Sequence, residues 1–524
     1  AQDVTARGQA AYGETLSFDP WRTPEAHAPV GSVAEARRVV YQASAALRRH
    51  VNGEPVGEPA EPRPGTVWPP ARDTRVVRAA IHPGIGVARL GDSTAADGDY
   101  VGPEVVGAAT PPGHTRDAAG AIKRQAARFR LYGYNAAGEV VGELGADDAH
   151  IQWTVHLANR KAQWYRFLAA LDIPDAQGLK APRRNAKVRG AERSTLAIDP
   201  GPRTIHGKSA AGPEHRFDSG TFRGTAVFLG ELRTDEAGRL LVLGGHGVSA
   251  SPAGLPIYDP ADPDSFSNAD GWYDDVADGP VTATVSVAGR AIPVEPSWVV
   301  VAPPNYAPDV AGWRTLYDLL VDTYVEAGWL SLPETVSFTK DVWPVLRRLS
   351  GLQWVNAGFA ATFGRGGPLD FEDPSLVEKL AHRPRTAGDP DPYAELRQVV
   401  ANAFRPPATD SGEPRTWPWI YGDAFGSFPA TSPRTNLALS GVRATLLRRW
   451  VEGDFVDDRD GAAPAPRTLD EVPLAEQPAM LDRAALHFCL ADAFHPGCEM
   501  TWPLRHATLY SAPFRIRPRA PHAA

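Results

Sequence analysis

A chain of 524 residues that is 43% apolar and 22% charged can bury a large core and is neither a disordered tract nor a fibrous repeat. Its formal net charge of −8 argues against a nucleic-acid or anionic-membrane surface, and no apolar run reaches the roughly 18 residues that a membrane span needs. Two cysteines make no disulfide scaffold, and no secretory h-region opens the chain, so a soluble and cytoplasmic protein is the expectation.

Glycine (49) and proline (50) together approach a fifth of the chain, which favours many short elements joined by specified turns. In chain order, residues 1–53 read as a helical arm. Ser32 to Glu35, "SVAE", is a capping box, and Ala36, Val40, Ala43 and Leu47 follow on one helical face. Residues 54–75 are rich in Pro and Glu and read as an extended linker. The main body, 76–524, begins with the strand-like "HPGIGVARLG". "RFRLYGYNAAGEVVGEL" predicts a hairpin, because Phe129 and Leu131 alternate with Arg128 and Arg130 before an Ala-Ala-Gly turn. Val281, Ala283, Val285 and Val287 alternate with Thr282, Thr284 and Ser286, a strand with one wet face. Helices are predicted at about 310–328 and 439–452, and long loops with one helix over 365–435. The fold class is α+β, sheet-rich, with antiparallel sheets, peripheral helices and long ordered loops.

Both cysteines fall in "LDRAALHFCLADAFHPGCEMTWPLRH", residues 481–506. A helix running from Leu481 to the Pro496–Gly497 break puts Asp482, Cys489 and Asp492 on one face. Carboxylates beside a thiol raise its pKa, which suits proton removal better than thiolate attack. Two readings stay open from the residues. Cys489 and Cys498 can be small core hydrophobes. His487, Cys489, His495 and Cys498 can hold a metal, although neither C-x-x-C nor H-x-x-x-H spacing occurs. Hydrolase, Walker A and dinucleotide motifs are missing; "GGHGVSASP" has no G-x-S-x-G elbow and its glycines read as turn residues.

Several long stretches, "IHPGIGVARLGDS" (81–93), "YVGPEVVG" (100–107), "IQWTVHLANRKAQWYRF" (151–167), "LGELRTDEAGRLLVLGGHGVSASP" (229–252), "WYDDVADGPVTATV" (272–285), "LLRRWVEGDF" (446–455) and the cysteine window, resemble the LodA/GoxA-like family of lysine ε-oxidases and glycine oxidases. The resemblance implies a cysteine tryptophylquinone, oxidative deamination of a primary amine or amino acid with oxygen as acceptor, release of hydrogen peroxide, and a flavoprotein partner for maturation. It places the cross-linked cysteine at Cys489, before "FHPGCE". The family's tryptophan lies far beyond its cysteine, whereas Trp502 is the only tryptophan among the 35 residues after Cys489. The partner is therefore expected outside this sequence, in sequence beyond residue 524 or in another chain, or, off pattern, at Trp502. Helical geometry, and not the resemblance, nominates Asp482 and Asp492 as bases.

Residues 12–53 resemble the closing segment of catalase-related haem proteins, which implies haem in an adjoining domain or chain. The alternative function is a non-catalytic LodA-like scaffold or binding module associated with such a domain. Asp274, Asp275 and Asp278 are candidates for an amine pocket, although acidic turns are more often turns. His156, Trp164 and Tyr165 are expected in the core, and His82 is a candidate site residue.

Overall fold

The computed structural model describes residues 73–518, except 108–109, 112, 167–181, 262–264, 266–267, 385–388, 408–416, 421–435, 461–463 and 492–502. The expected arm (1–53) and nearly all of the linker (54–75) lie outside the described residues, as do Asp492, His495, Cys498 and Trp502.

The strand-like opening of the body forms β1 (Arg78–His82) and β2 (Ile85–Arg89), joined through Pro83 and Gly84. The expected hairpin forms β4 (Arg124–Tyr134) and β5 (Val140–Glu143), after a short β3 (Asp99–Val101). Both faces of β4 are covered, each by different chemistry. Phe129 and Leu131 enter the apolar core, while Arg128 and Arg130 point the other way and are ion-paired. Phe129 packs against β2 at Gly86, where a Cβ would come within 2.3 Å of the ring, so only glycine fits.

Then follow β6 (His150–Val155), β7 (Arg203–His206), β8 (Gly230–Thr234), β9 (Leu240–Gly244), β10 (Ala277–Val287) and β11 (Ser297–Ala302). One large sheet orders them β8-β9-β4-β2-β11-β10-β6-β7. Most pairs are antiparallel, as expected. The sheet is nonetheless mixed, because β11 lies parallel to β2 with Trp298 opposite Ile85 and Ala302 opposite Arg89. The β2 strand is buried along its whole length, as a parallel central strand requires. On β10, Val281 and Val285 are buried and Thr282 and Thr284 exposed, the alternation read from the sequence.

The helices form a second cluster. They are α1 (Leu316–Glu326), α2 (Trp343–Gly351), α3 (Ala357–Phe363), α4 (Pro374–Ala381), α5 (Ala394–Asn402), α6 (Gly441–Val451) and α7 (Gln477–His487). The α1 helix starts later than its apolar pattern, because Thr315 and Asp318 close a capping box. Trp313 precedes it and donates Nε1–H to the Ala438 carbonyl. Among the described residues of the stretch expected to carry one helix, there are two, α4 and α5. The described residues form four apolar regions: beneath the sheet, among the helices, around Tyr132 and Leu481, and between β2, β11, α1 and α7. The last one holds Cys489.

Two expectations of burial fail. Trp164 is 62% and Tyr165 42% exposed, the two rings stacked edge-on against each other. His156 is no core residue either: its ring is 34% exposed and bonds Asp199 at 2.5 Å.

Candidate active site

The helix expected to run through Cys489 stops two residues short of it. Past His487 the chain turns to pair with the segment that leads into α1. Leu316 N–H donates to the Cys489 carbonyl at 2.7 Å, and Ala491 N–H to the Arg314 carbonyl at 3.0 Å. Backbone groups that a longer helix would use internally are satisfied by this bridge instead. Cys489 and Asp482 are therefore not carried on one continuous helix face.

The α7 helix lies against β2, and the two residues engage opposite ends of that strand. Asp482 Oδ1 accepts the Gly84 N–H at 2.6 Å and faces His82 Nδ1 at 3.0 Å. Arg515 Nη2 stands 3.0 Å from His82 Nε2, and the Tyr134 hydroxyl 3.2 Å. A guanidinium can only donate, so Nε2 accepts and Nδ1–H donates to Asp482. Burial works against the Asp482 charge, but His82, Arg515 and the Gly84 N–H outweigh it and hold the carboxyl below its usual range. The candidate base thus has fixed partners away from the thiol, and His82 belongs to this lock.

At the other end, Cys489 is 1% exposed and sits among apolar side chains. Arg89, the last residue of β2, donates from Nη2 to its sulfur at 3.4 Å and to the Phe488 carbonyl at 3.2 Å, and from Nη1 to the Pro303 carbonyl at 3.0 Å. Burial pushes the Cys489 thiol up, and Arg89 pulls it partway back. Arg89 was missed in the sequence; the available signal was a lone charge closing the apolar run "IGVA".

Arg89 and Phe488 also line a cleft of ≈ 600 Å³. Its walls come from β3 and the chain just after it, from β4, from 305–309 and from 467–470. Inside, Glu104 accepts from both Arg128 and Arg130. Burial opposes its charge, yet the two guanidinium groups lower its pKa to about 2. At the rim, Glu236, Asp309 and Asp470 are exposed, and so is Arg467.

The acidic stretch 274–278 lies elsewhere. Asp274 pairs with Lys161 and bonds Asn159. Asp275 is buried, takes the Gly247 N–H, and rises to about 6 through burial and its neighbour Asp274. Asp278 rises to about 6 through burial, while accepting Trp298 Nε1–H. His487 is pushed down to about 4 by burial and by Arg348 and Arg483. Among the described residues no group of three His, Cys, Asp or Glu could hold a metal ion, and no helix is long and apolar enough to cross a membrane.

The described residues fit the cysteine half of a cysteine tryptophylquinone: one buried sulfur, held by a cation, beside an open cleft. Trp502, named for the other half, is outside them.

Residues 82–301 match the L-lysine epsilon oxidase N-terminal family, and residues 422–523 its C-terminal domain. The curated L-lysine 6-oxidase of Marinomonas mediterranea is 30% identical over 503 residues, covering 84% of this chain and 64% of that protein. Crystal structures of the L-Lys epsilon-oxidase from Marinomonas mediterranea, including its Schiff base intermediate with L-Lys, superimpose with a TM-score of 0.61 at 26% identity, covering 84% of this chain and 69% of theirs. The chain spans just under two thirds of the length of that curated relative. By its two domain matches and its fold, the chain belongs to the LodA family of L-lysine epsilon-oxidase-like proteins.

Proposed function

We propose that this chain is the body of an oxidase that deaminates a primary amine or amino acid oxidatively, with oxygen as acceptor and hydrogen peroxide as product, and that Cys489 is the cysteine of its tryptophylquinone. The observation that carries the reading is the Arg89–Cys489 contact at the wall of the cleft. When formed, the cofactor supplies an electrophilic carbonyl for amines and a sink for two electrons.

The residues do the rest. The exposed carboxylates Glu236, Asp309 and Asp470 line the cleft together with the exposed Arg467. Glu104, Arg128 and Arg130 form a fixed wall whose charges are mutually satisfied. Asp482 anchors α7 to the β1–β2 turn. The role of proton acceptor is assigned to Asp492, three residues after Cys489. A flavoprotein for maturation is part of the proposal, as is a catalase-like haem domain or chain that would consume the peroxide.

The test is peptide mapping around Cys489 in natively purified protein, with oxygen uptake and peroxide release measured on a panel of primary amines and amino acids. A thioether to an oxygenated tryptophan with amine-dependent peroxide supports the proposal. A free Cys489 in a protein inert toward every amine removes it.

A further inference from the structure

Arg89 presents an electrostatic problem that the fold leaves open. The residue is 3% exposed, and its guanidinium donates to two backbone carbonyls and one sulfur. No carboxylate pairs with it among the described residues. Several other buried arginines have such partners: Arg124 has Glu231, Arg130 has Glu104 and Glu143, and Arg348 and Arg443 share Asp318. A buried cation without an anion is costly, and sequences rarely keep one without use.

Among the described residues, the other charged groups near Cys489 are committed. On α1, Asp318 serves the two arginines just named and Asp322 pairs with Arg314. On α7, Asp482 holds His82, Arg483 lies over the Tyr317 ring, and His487 is held neutral at ordinary pH by burial. Tyr100 is next to Arg89 and is kept protonated by burial. Among the described residues, the one group able to become an anion within hydrogen-bond reach of Arg89 is Cys489 itself.

We propose that Arg89 is the positioning residue of Cys489: its guanidinium orients the sulfur beside the cleft and becomes the counter-ion of the thiolate when the cysteine gives up its proton. The proton leaves to solvent through the cleft that Arg89 and Phe488 line. The inference rests on the proposed function only for what the thiolate is used for.

The experiment compares Arg89→Lys with Arg89→Gln in full-length protein whose intact mass shows Cys489 free. Both side chains can still donate to the backbone carbonyls, and only lysine keeps the charge. Alkylation of Cys489 by iodoacetamide is followed by peptide mass from pH 7 to 9, with circular dichroism to verify folding. Both replacements are smaller than arginine, so access to the sulfur does not decrease in either. The lysine variant should react within about threefold of the parent, and the glutamine variant at least about tenfold slower, the effect of one pH unit in thiolate fraction. Equal rates for the two variants overturn the assignment. A Cys489 that is never cross-linked in mature protein, with the glutamine variant still slow, refutes the oxidase reading and leaves Arg89 in its role.

Discussion

Replacing Glu104 by Gln tests the cleft wall. The carboxylate accepts from Arg128 Nε at 2.9 Å and from Arg130 Nε and Nη2 at 2.7 and 2.8 Å, with a further bond from Arg128 Nη2. Its pKa falls from 4.5 to about 2, and its side chain is only 14% exposed. At about 1.4 kcal/mol per unit, that shift corresponds to about 3 kcal/mol of stability at neutral pH. Loss of one partner from a buried ion pair costs about 3–5 kcal/mol by independent measure, so the two figures agree. Because the folded pKa is depressed, the contribution is complete above pH 4.5 and is lost as pH falls toward 2. Urea unfolding of parent and Glu104→Gln should therefore differ by about 3 kcal/mol at pH 7 and by about 1.4 kcal/mol less at pH 3.5. A difference under about 1 kcal/mol at pH 7, or one independent of pH, would refute the view that Glu104 locks Arg128 and Arg130 in place.

Cys489→Ser should abolish amine-dependent peroxide release, read by oxygen electrode, while folding is preserved, since the change removes one sulfur and keeps a small side chain. Asp482→Ala should cost about 3 kcal/mol in denaturant unfolding, because the buried Gly84 N–H and His82 Nδ1–H lose their acceptor. Since the Asp482 carboxyl is held below its usual range, that loss should be full at neutral pH and fade as pH drops through the carboxylate range. Asp275 behaves oppositely: its pKa is raised from 3.8 to about 6, so ionisation destabilises the fold as pH rises through that interval. Asp275→Asn should accordingly raise the melting temperature at pH 7.5 and leave it nearly unchanged at pH 4. Asp492→Asn should slow turnover more than it affects the Cys489 cross-link in peptide maps.

Local pattern carried a large part of this fold. The alternation at 281–287, the Ala-Ala-Gly turn after Tyr134 and the apolar "IGVA" run each became the expected strand, because a period of two needs only a covered face to act on. The family was legible from long stretches in order, and Cys489 from one of them. What local pattern could not supply was every contact that closes over distance. The His82–Asp482 and Arg89–Cys489 pairs each join residues 400 positions apart, so no spacing rule connects them. The end of α7 at His487 shows the same limit: the apolar period continues through Phe488 and Leu490, with no Gly or Pro to stop it. The stop is made by backbone groups of 314–316 that arrive from another part of the chain. Sequence thus determined many of the strands and helices and singled out Cys489 as a candidate. Tertiary structure alone decided what surrounds that sulfur, because the partners of a buried charge are chosen by chain closure and not by neighbours in sequence.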